Sequence, residues 1–309
     1  MARKVKHYET GLEKFNQVSK PINGLMSLAV ILLAASCIIP LLLVIGVSIS
    51  SEDSIRINGY QFIPEEFSLD SYRVVFAAGG GIIRALGVSV VLTLAGLFVG
   101  LGLNSTMAYA LSRPNFRFKK FFTIWILIPM LFSGGMLPFY MVVAQVLNLR
   151  DSLWAVILVM AVSSFNIIIL RTFFTNTIPN SIIESAEIDG ATQLYIFTRI
   201  VLPLSLPVLA TIGLMLAFGY WNDWYNARLF ITTSSKWPLQ LMLMNIQNNI
   251  NWLKQNMNQL GAGAIGSVDL PTEAVRMAIV VVIVVPIASI YPFFQRYFIT
   301  GLTIGAVKG

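Results

Sequence analysis

Asn180-Ser181-Ile182-Ile183-Glu184-Ser185-Ala186-Glu187-Ile188-Asp189-Gly190-Ala191, running on through Phe197-Thr198-Arg199-Ile200-Val201-Leu202-Pro203, is a polar and acidic segment set between long apolar runs. Pro179 ends the helix before it, and Ser181 with Glu184 forms an S-x-x-E capping box, so a short helix is expected to start near Ser181. Asp189-Gly190 supplies the stop, because glycine tolerates the left-handed conformation that closes a helix. A second short helix, Ala191 to Phe197, is expected before Pro203 opens the next apolar run. Ile182, Ile183 and Ala186 then share one face, while Glu184, Glu187 and Asp189 are left to water or a partner. A membrane chain that keeps such a helix pair between two spans offers a handle to something in the aqueous phase.

Those flanking runs fix the class. Of 309 residues, 56% are hydrophobic and 11% charged, against roughly 25% charged in an ordinary soluble domain. Six segments reach spanning length, at about 25–50, 83–111, 120–147, 152–174, 202–222 and 274–298, each with the roughly 20 residues needed to cross about 30 Å of hydrocarbon. The expected fold is all-α: a polytopic membrane protein of six transmembrane helices. Its single membrane domain runs from 25 to 299, between tails at 1–24 and 300–309. The first run extends too far to be the core of a cleaved signal and is read as a retained anchor.

The net charge of +7 reflects topology rather than nucleic-acid binding, since the basic residues sit at span ends and not on one aromatic-interleaved face. Placing both termini in the cytoplasm puts most of the 21 basic residues inside: Arg3, Lys4, Lys6, Lys14 and Lys20, then Arg113, Arg117, Lys119 and Lys120, then Arg171, Arg199, Arg296 and Lys308. That is the arrangement the positive-inside rule selects.

The third segment contains Pro129, Gly134, Gly135 and Pro138, so a break is expected near its middle, tolerated only where protein or a watery cavity receives the freed backbone groups. It is a candidate wall of a transport pathway. Outside lie an acidic loop at 51–82 and a longer one at 226–273. In the latter, Leu243, Ile246, Ile250, Leu253, Met257 and Leu260 recur at three- and four-residue steps among Asn and Gln, the pattern of an amphipathic helix. It either packs on the outer ends of the spans or docks an external binding protein.

Several chemistries are missing. No glycine is followed by lysine, so there is no Walker phosphate loop, and Gly79-Gly80-Gly81 and Gly261 to Gly266 lack the lysine such a loop requires. Cys37, the only cysteine, lies in the first apolar run and excludes an internal disulfide; His7, the only histidine, lies in the charged tail. The middles of the spans carry no ionisable residue, which weighs against an ion-coupled secondary transporter; Arg84, Asp223 and Arg276 fall near span ends. For a sugar, aromatic faces and amides are the expected lining. Trp221, Asn222, Asp223 and Tyr225, at the outer end of the fifth span, are candidates for a gate or substrate contact, or else an interfacial aromatic belt. Tyr140 and Asn166, with Asn104, Gln145, Ser163 and Ser164, line a route or hydrogen-bond between helices.

The spacing Glu184-Ser185-Ala186, Gly190, Ile200-x-Leu202-Pro203 resembles the E-A-A-x3-G-x9-I-x-L-P loop of ABC importer permeases, with Ser185 where alanine is usual. Phe62-x-Pro64 with Phe67 to Tyr72, Trp221-Asn222-Asp223-Trp224, and Gln295-Arg296-Tyr297-Phe298 through Gly309 resemble the carbohydrate branch, in particular the six-span permease G subunit of maltose-type systems. The resemblance implies a type I importer permease fold in a bacterial cell membrane. Residues 176–200 would be the cytoplasmic coupling loop, with Glu184, Ser185, Ala186, Asp189, Gly190, Ala191, Ile200, Leu202 and Pro203 seating it on an ATPase. Implied partners are a second permease subunit in a heterodimer, two cytoplasmic ATPase subunits that hold the ATP and Mg, an extracellular solute-binding protein, and a carbohydrate; no cofactor belongs to this chain. A permease for peptides or amino acids, and a membrane scaffold, are the alternatives.

Overall fold

The computed structural model describes residues 20–77, 81–260 and 273–306. His7, Gly79, Gly80 and the 261–266 glycines lie outside them. Every described element is helical: α1 (Lys20–Ser48), α2 (Glu52–Asn58), α3 (Asp70–Ala77), α4 (Gly81–Ser112), α5 (Lys119–Leu131), α6 (Met136–Met141), α7 (Leu153–Ala161), α8 (Ser164–Thr177), α9 (Asn180–Ile188), α10 (Gln193–Ile196), α11 (Leu202–Leu204), α12 (Leu206–Trp221), α13 (Tyr225–Phe230), α14 (Leu239–Leu260) and α15 (Glu273–Ala306). Wide π turns follow α6 at Val142–Val146 and α10 at Phe197–Val201. The chain forms two compact units, one of residues up to Ser71 with Thr272–Ala278, the other of Tyr72–Pro271 with Ile279–Gly309.

In the first unit, α1 is apolar on every face and its hydrophobic stretch is wholly uncovered, as expected of a helix solvated by lipid. Cys37 is exposed on it. Beyond it, Ser51 caps α2 by accepting from the Ser54 amide at 3.2 Å. Val47 and Ile55 pack against Ala274 with Leu43 and Met277, and the Tyr60 hydroxyl donates to Glu273 at 3.3 Å.

The second unit is built on α4, whose 32 residues extend about 48 Å at 1.5 Å per residue. Small residues let its neighbours approach: a Cβ at Gly96 would lie 2.3 Å from the Tyr220 ring, and one at Gly100 would meet Leu216 and the Ala161 carbonyl. The Tyr220 hydroxyl donates to the Ile157 carbonyl at 2.6 Å, so α4, α7 and α12 are joined by small-residue packing plus a satisfied polar tip.

Among the described residues, Pro21–Ser48 and Gly81–Ser112 are long and apolar enough to cross a membrane alone, and four spans result if each of two bent pairs counts as one. The fold is therefore all-α and polytopic, and the six transmembrane helices expected from the apolar runs are corrected to two uninterrupted ones, or four if each bent pair is one span, among the described residues. The break in the third segment falls where its Pro and Gly residues predict it, between α5 and α6, with Gly135 at φ +83°. The fourth segment bends by 46° between α7 and α8, which its composition does not announce. The helix expected to stop at Phe197 instead continues as Gln193–Leu204 and turns by 84° into α12. Pro203 does not open the span: the preceding π turn, in which the Leu202 amide reaches back to Phe197, widens the helix where proline has no N–H to give.

Candidate functional sites

The hairpin of α9 and α10 closes as its sequence suggests and opens as it does not. Asp189 is the last half-turn of α9; the Gly190 amide donates to Glu187 O at 3.0 Å and the Ala191 amide to Ala186 O at 2.9 Å, with Gly190 at φ +81°. This pairing is the Schellman motif. The Ser181–Glu184 capping box does not form. Extended Pro179 occupies the cap position, no side chain caps α9, and Ser181 is already inside the first turn. Glu184 therefore has no capping duty, and its exposed carboxylate makes no hydrogen bond among the described residues. The second arm starts two residues later than expected, because Thr192 accepts from the Tyr195 amide at 3.3 Å and so sets the boundary.

Ile183, Ile196 and Phe197 are buried in the core shared with α4 and α8. Ile182, placed by periodicity on that face, is instead exposed, together with Ile188 at 86%, Leu194 at 71% and Tyr195. Glu184, Ser185, Glu187, Asp189 and Gly190 are exposed as well, Glu184 and Glu187 toward a cavity beside α4, while Ala186, Ala191, Ile200 and Leu202 are half-buried and Pro203 is exposed. The exposed surface is thus mixed apolar and acidic.

A cavity of about 370 Å³ lies between this hairpin and the C-terminal end of α4, lined by Tyr109, Arg113, Phe116, Glu184, Glu187 and Gln193. The Tyr109 hydroxyl donates to Gln193 Oε1 at 2.7 Å, and Gln193 Nε2 donates to Glu187 Oε1 at 2.6 Å. Arg113 lies 5.0 Å from the Tyr109 ring centroid; burial pulls its guanidinium below the ordinary arginine range, against the pull of Tyr109 and Glu187.

At the opposite end of the unit the candidate contacts divide. Trp221 is buried and donates Nε1 to Ile283 O at 3.2 Å. Asp223 is buried and caps α13, accepting from the Asn226 amide and side chain and the Ala227 amide; burial raises its carboxyl and those hydrogen bonds oppose the rise. Both are engaged by the protein itself. Asn222 and Tyr225 are exposed. Asn222 accepts from Gln240 of α14 at 3.1 Å, and Tyr225 borders a cavity of about 590 Å³ along the α5–α6 break with Phe132, Ser133, Gly134, Gly135 and Phe139. Tyr140 stacks on Phe230 and Asn166 is buried.

Of two polar hubs, the sequence reading named Asn104 and missed Asp151. Asn104 was expected to bond between helices and does so, donating to Gly100 O and Ala161 O at 2.6 Å each and accepting from the Ser163 amide at 3.0 Å, but nothing marked it as the clamp on a bend. Asp151 accepts from the Thr232 and Thr233 amides, the Thr233 hydroxyl and Lys236 Nζ. The Lys236 bond, then those from Thr233, hold its carboxyl well below the usual range, and α7 is tied to the loop that leads into α14.

Bent spans grouped around the long helix α4, with the α9–α10 hairpin packed on them through Ile183, Ile196 and Phe197, make this a polytopic membrane protein. Residues 93–304 match the family described as binding-protein-dependent transport system inner membrane component, and the chain belongs to it. It is 41% identical over 279 residues to the polygalacturonan/rhamnogalacturonan transport system permease protein YtcP of Bacillus subtilis, covering 90% of this chain and 95% of that one. It is 38% identical over 275 residues to Protein LplC of the same organism, covering 89% and 90%. In structure it resembles a bacterial ABC transporter involved in the import of the acidic polysaccharide alginate, with a TM-score of 0.78, 30% identity, and coverage of 91% of this chain and 98% of that one.

Proposed function

We propose that this chain is one of two membrane subunits of an ATP-driven importer that receives an oligosaccharide from an external binding protein. The observation that carries this reading is the α9–α10 hairpin, which exposes Ile188, Leu194 and Tyr195 together with the carboxylate of Glu184 at the cavity mouth. That surface suits a cytoplasmic ATPase subunit. With α5–α6, α7–α8 and α10–α12 each crossing as one broken span beside α1, α4 and α15, the chain would have the six spans of the maltose-type subunit and both termini in the cytoplasm. ATP-driven closure of two ATPases would move the hairpin, and packed helices that switch between discrete arrangements would alternate access.

For the cargo we propose an acidic oligosaccharide. The relative at 41% identity is named for polygalacturonan/rhamnogalacturonan transport and the structural neighbour for import of the acidic polysaccharide alginate, and all of these polymers carry uronic acids. Phe132, Phe139 and Tyr225 around the open backbone of the α5–α6 break supply aromatic faces and unpaired polar groups for such a ligand. Asn222 adds an amide, and Trp221, Asp223, Tyr140 and Asn166 would hold the wall in shape. In α14, the stripe beginning at Leu243 and Ile246 would serve the binding protein.

Purification of the tagged chain with its bound partners, followed by uptake measurements in proteoliposomes, tests the proposal. Two ATPase chains, a second permease, and ATP-dependent uptake of oligogalacturonides in preference to neutral arabino- or galacto-oligosaccharides are expected. Glu184→Gln, which has no cap to disturb, should weaken ATPase retention and uptake together. Gradient-driven uptake without an ATPase, or full activity of the Gln variant, would overturn the corresponding part.

A further inference from the structure

The buried face of the hairpin meets the rest of the unit through Ile183, Ile196 and Phe197, which pack without direction. Among the described residues, one side-chain hydrogen bond joins the hairpin to another element: Tyr109 of α4 to Gln193 of α10, at 2.7 Å. Gln193 spends its other end on Glu187 of α9, at 2.6 Å. The amide's orientation follows from chemistry. An ionised carboxylate only accepts, so the NH2 group must face Glu187, which leaves Oε1 to accept from the phenol. Gln193 thereby fastens both arms of the hairpin to each other and to the C-terminal end of α4, while the Tyr109 and Phe197 ring centroids lie 5.0 Å apart.

We infer that Tyr109 and Gln193 are the positioning residues that carry hairpin motion into α4, which, unlike α8 and α12, has no short covalent connection to the hairpin. This rests on the coupling role proposed above. Apolar contacts hold the hairpin against α4 but can be satisfied in more than one discrete register. A donor–acceptor chain selects one, since the bond weakens steeply once its angle departs from alignment. Because α4 also holds α7 and α12 through Gly96, Gly100 and Asn104, a shift fixed at Tyr109 reaches the bent spans directly.

The test uses the complete transporter in proteoliposomes, with uptake and ATP hydrolysis measured on the same vesicles. Tyr109→Phe removes only the donor and leaves the ring on Phe197; Gln193→Leu removes both ends of the link. Each should assemble with its partners and hydrolyse ATP, but transport roughly three- to tenfold less substrate per ATP, the scale of one lost hydrogen bond. The double variant should fall no further than the worse single one, because one link cannot be broken twice. An unchanged uptake-to-ATP ratio in both single variants, or losses that multiply in the double, would overturn the inference while leaving the importer itself intact. A wild-type complex that carries no ATPase would overturn the coupling role and this inference with it.

Discussion

Gly190 sits at φ +81° with nothing within 4 Å of where a Cβ would be, so what it requires is conformation and not space. Alanine there should strain the left-handed turn by about 1–2 kcal/mol, asparagine by less, and proline, locked near −65°, cannot adopt it at all. Uptake should therefore fall in the order Asn, Ala, Pro, with membrane insertion unchanged in all three; equal activity of the Ala and Pro variants would show that the turn does not set the hairpin. Gly96 is the opposite case. Its backbone is helical, and a Cβ would strike the Tyr220 ring. Asp189-Gly190 was legible because the requirement is local to the turn, whereas the need for Gly96 comes from a side chain far along the chain. The same distinction separates Glu184 from Gln193. A motif pointed to the first, but only the packed structure shows that the capping box is absent and that the neighbouring amide joins two helices.

At the scale of elements, the sequence announces a break when the breaking residues lie in the broken helix. Pro129, Gly134, Gly135 and Pro138 do so for α5–α6, and the Leu/Ile periodicity of 243–260 likewise announced α14, found as one helix from Leu239 to Leu260. The α7–α8 bend is different, since Ala161-Val162-Ser163 contains neither glycine nor proline. Its opened ladder is completed from α4 by Asn104, fully buried, whose amide takes the Ala161 carbonyl and the Ser163 amide. Interhelical hydrogen bonds in membranes average only about 0.6 kcal/mol, but removing this side chain leaves buried backbone groups unpaired, at about 1–3 kcal/mol each. Asn104→Leu should accordingly lower the thermal midpoint of the detergent-solubilised complex and reduce uptake. A Leu variant as stable as the parent would mean that the bend is held by packing alone.

For the molecule as a whole, the expected orientation depends on a count of charges and can be checked without any partner. The loop between α4 and α5 carries Arg113 and Arg117, and the first turn of α5 adds Lys119 and Lys120; such clusters near span ends are retained on the cytoplasmic side. The loop between α13 and α14 contains the single cation Lys236, neutralised at 2.8 Å by Asp151. With lipid-facing Cys37 replaced by alanine, a cysteine placed at exposed Asn115 should be protected from a membrane-impermeant maleimide in intact cells and labelled only after lysis. One placed at exposed Ser234 should be labelled at once. Reversal of the two would turn the hairpin outward, beyond the reach of any ATP-hydrolysing partner. The coupling reading, the Gly190 series and the Tyr109–Gln193 link would then lose their common premise, because each requires α9 and α10 to face the compartment that holds ATP.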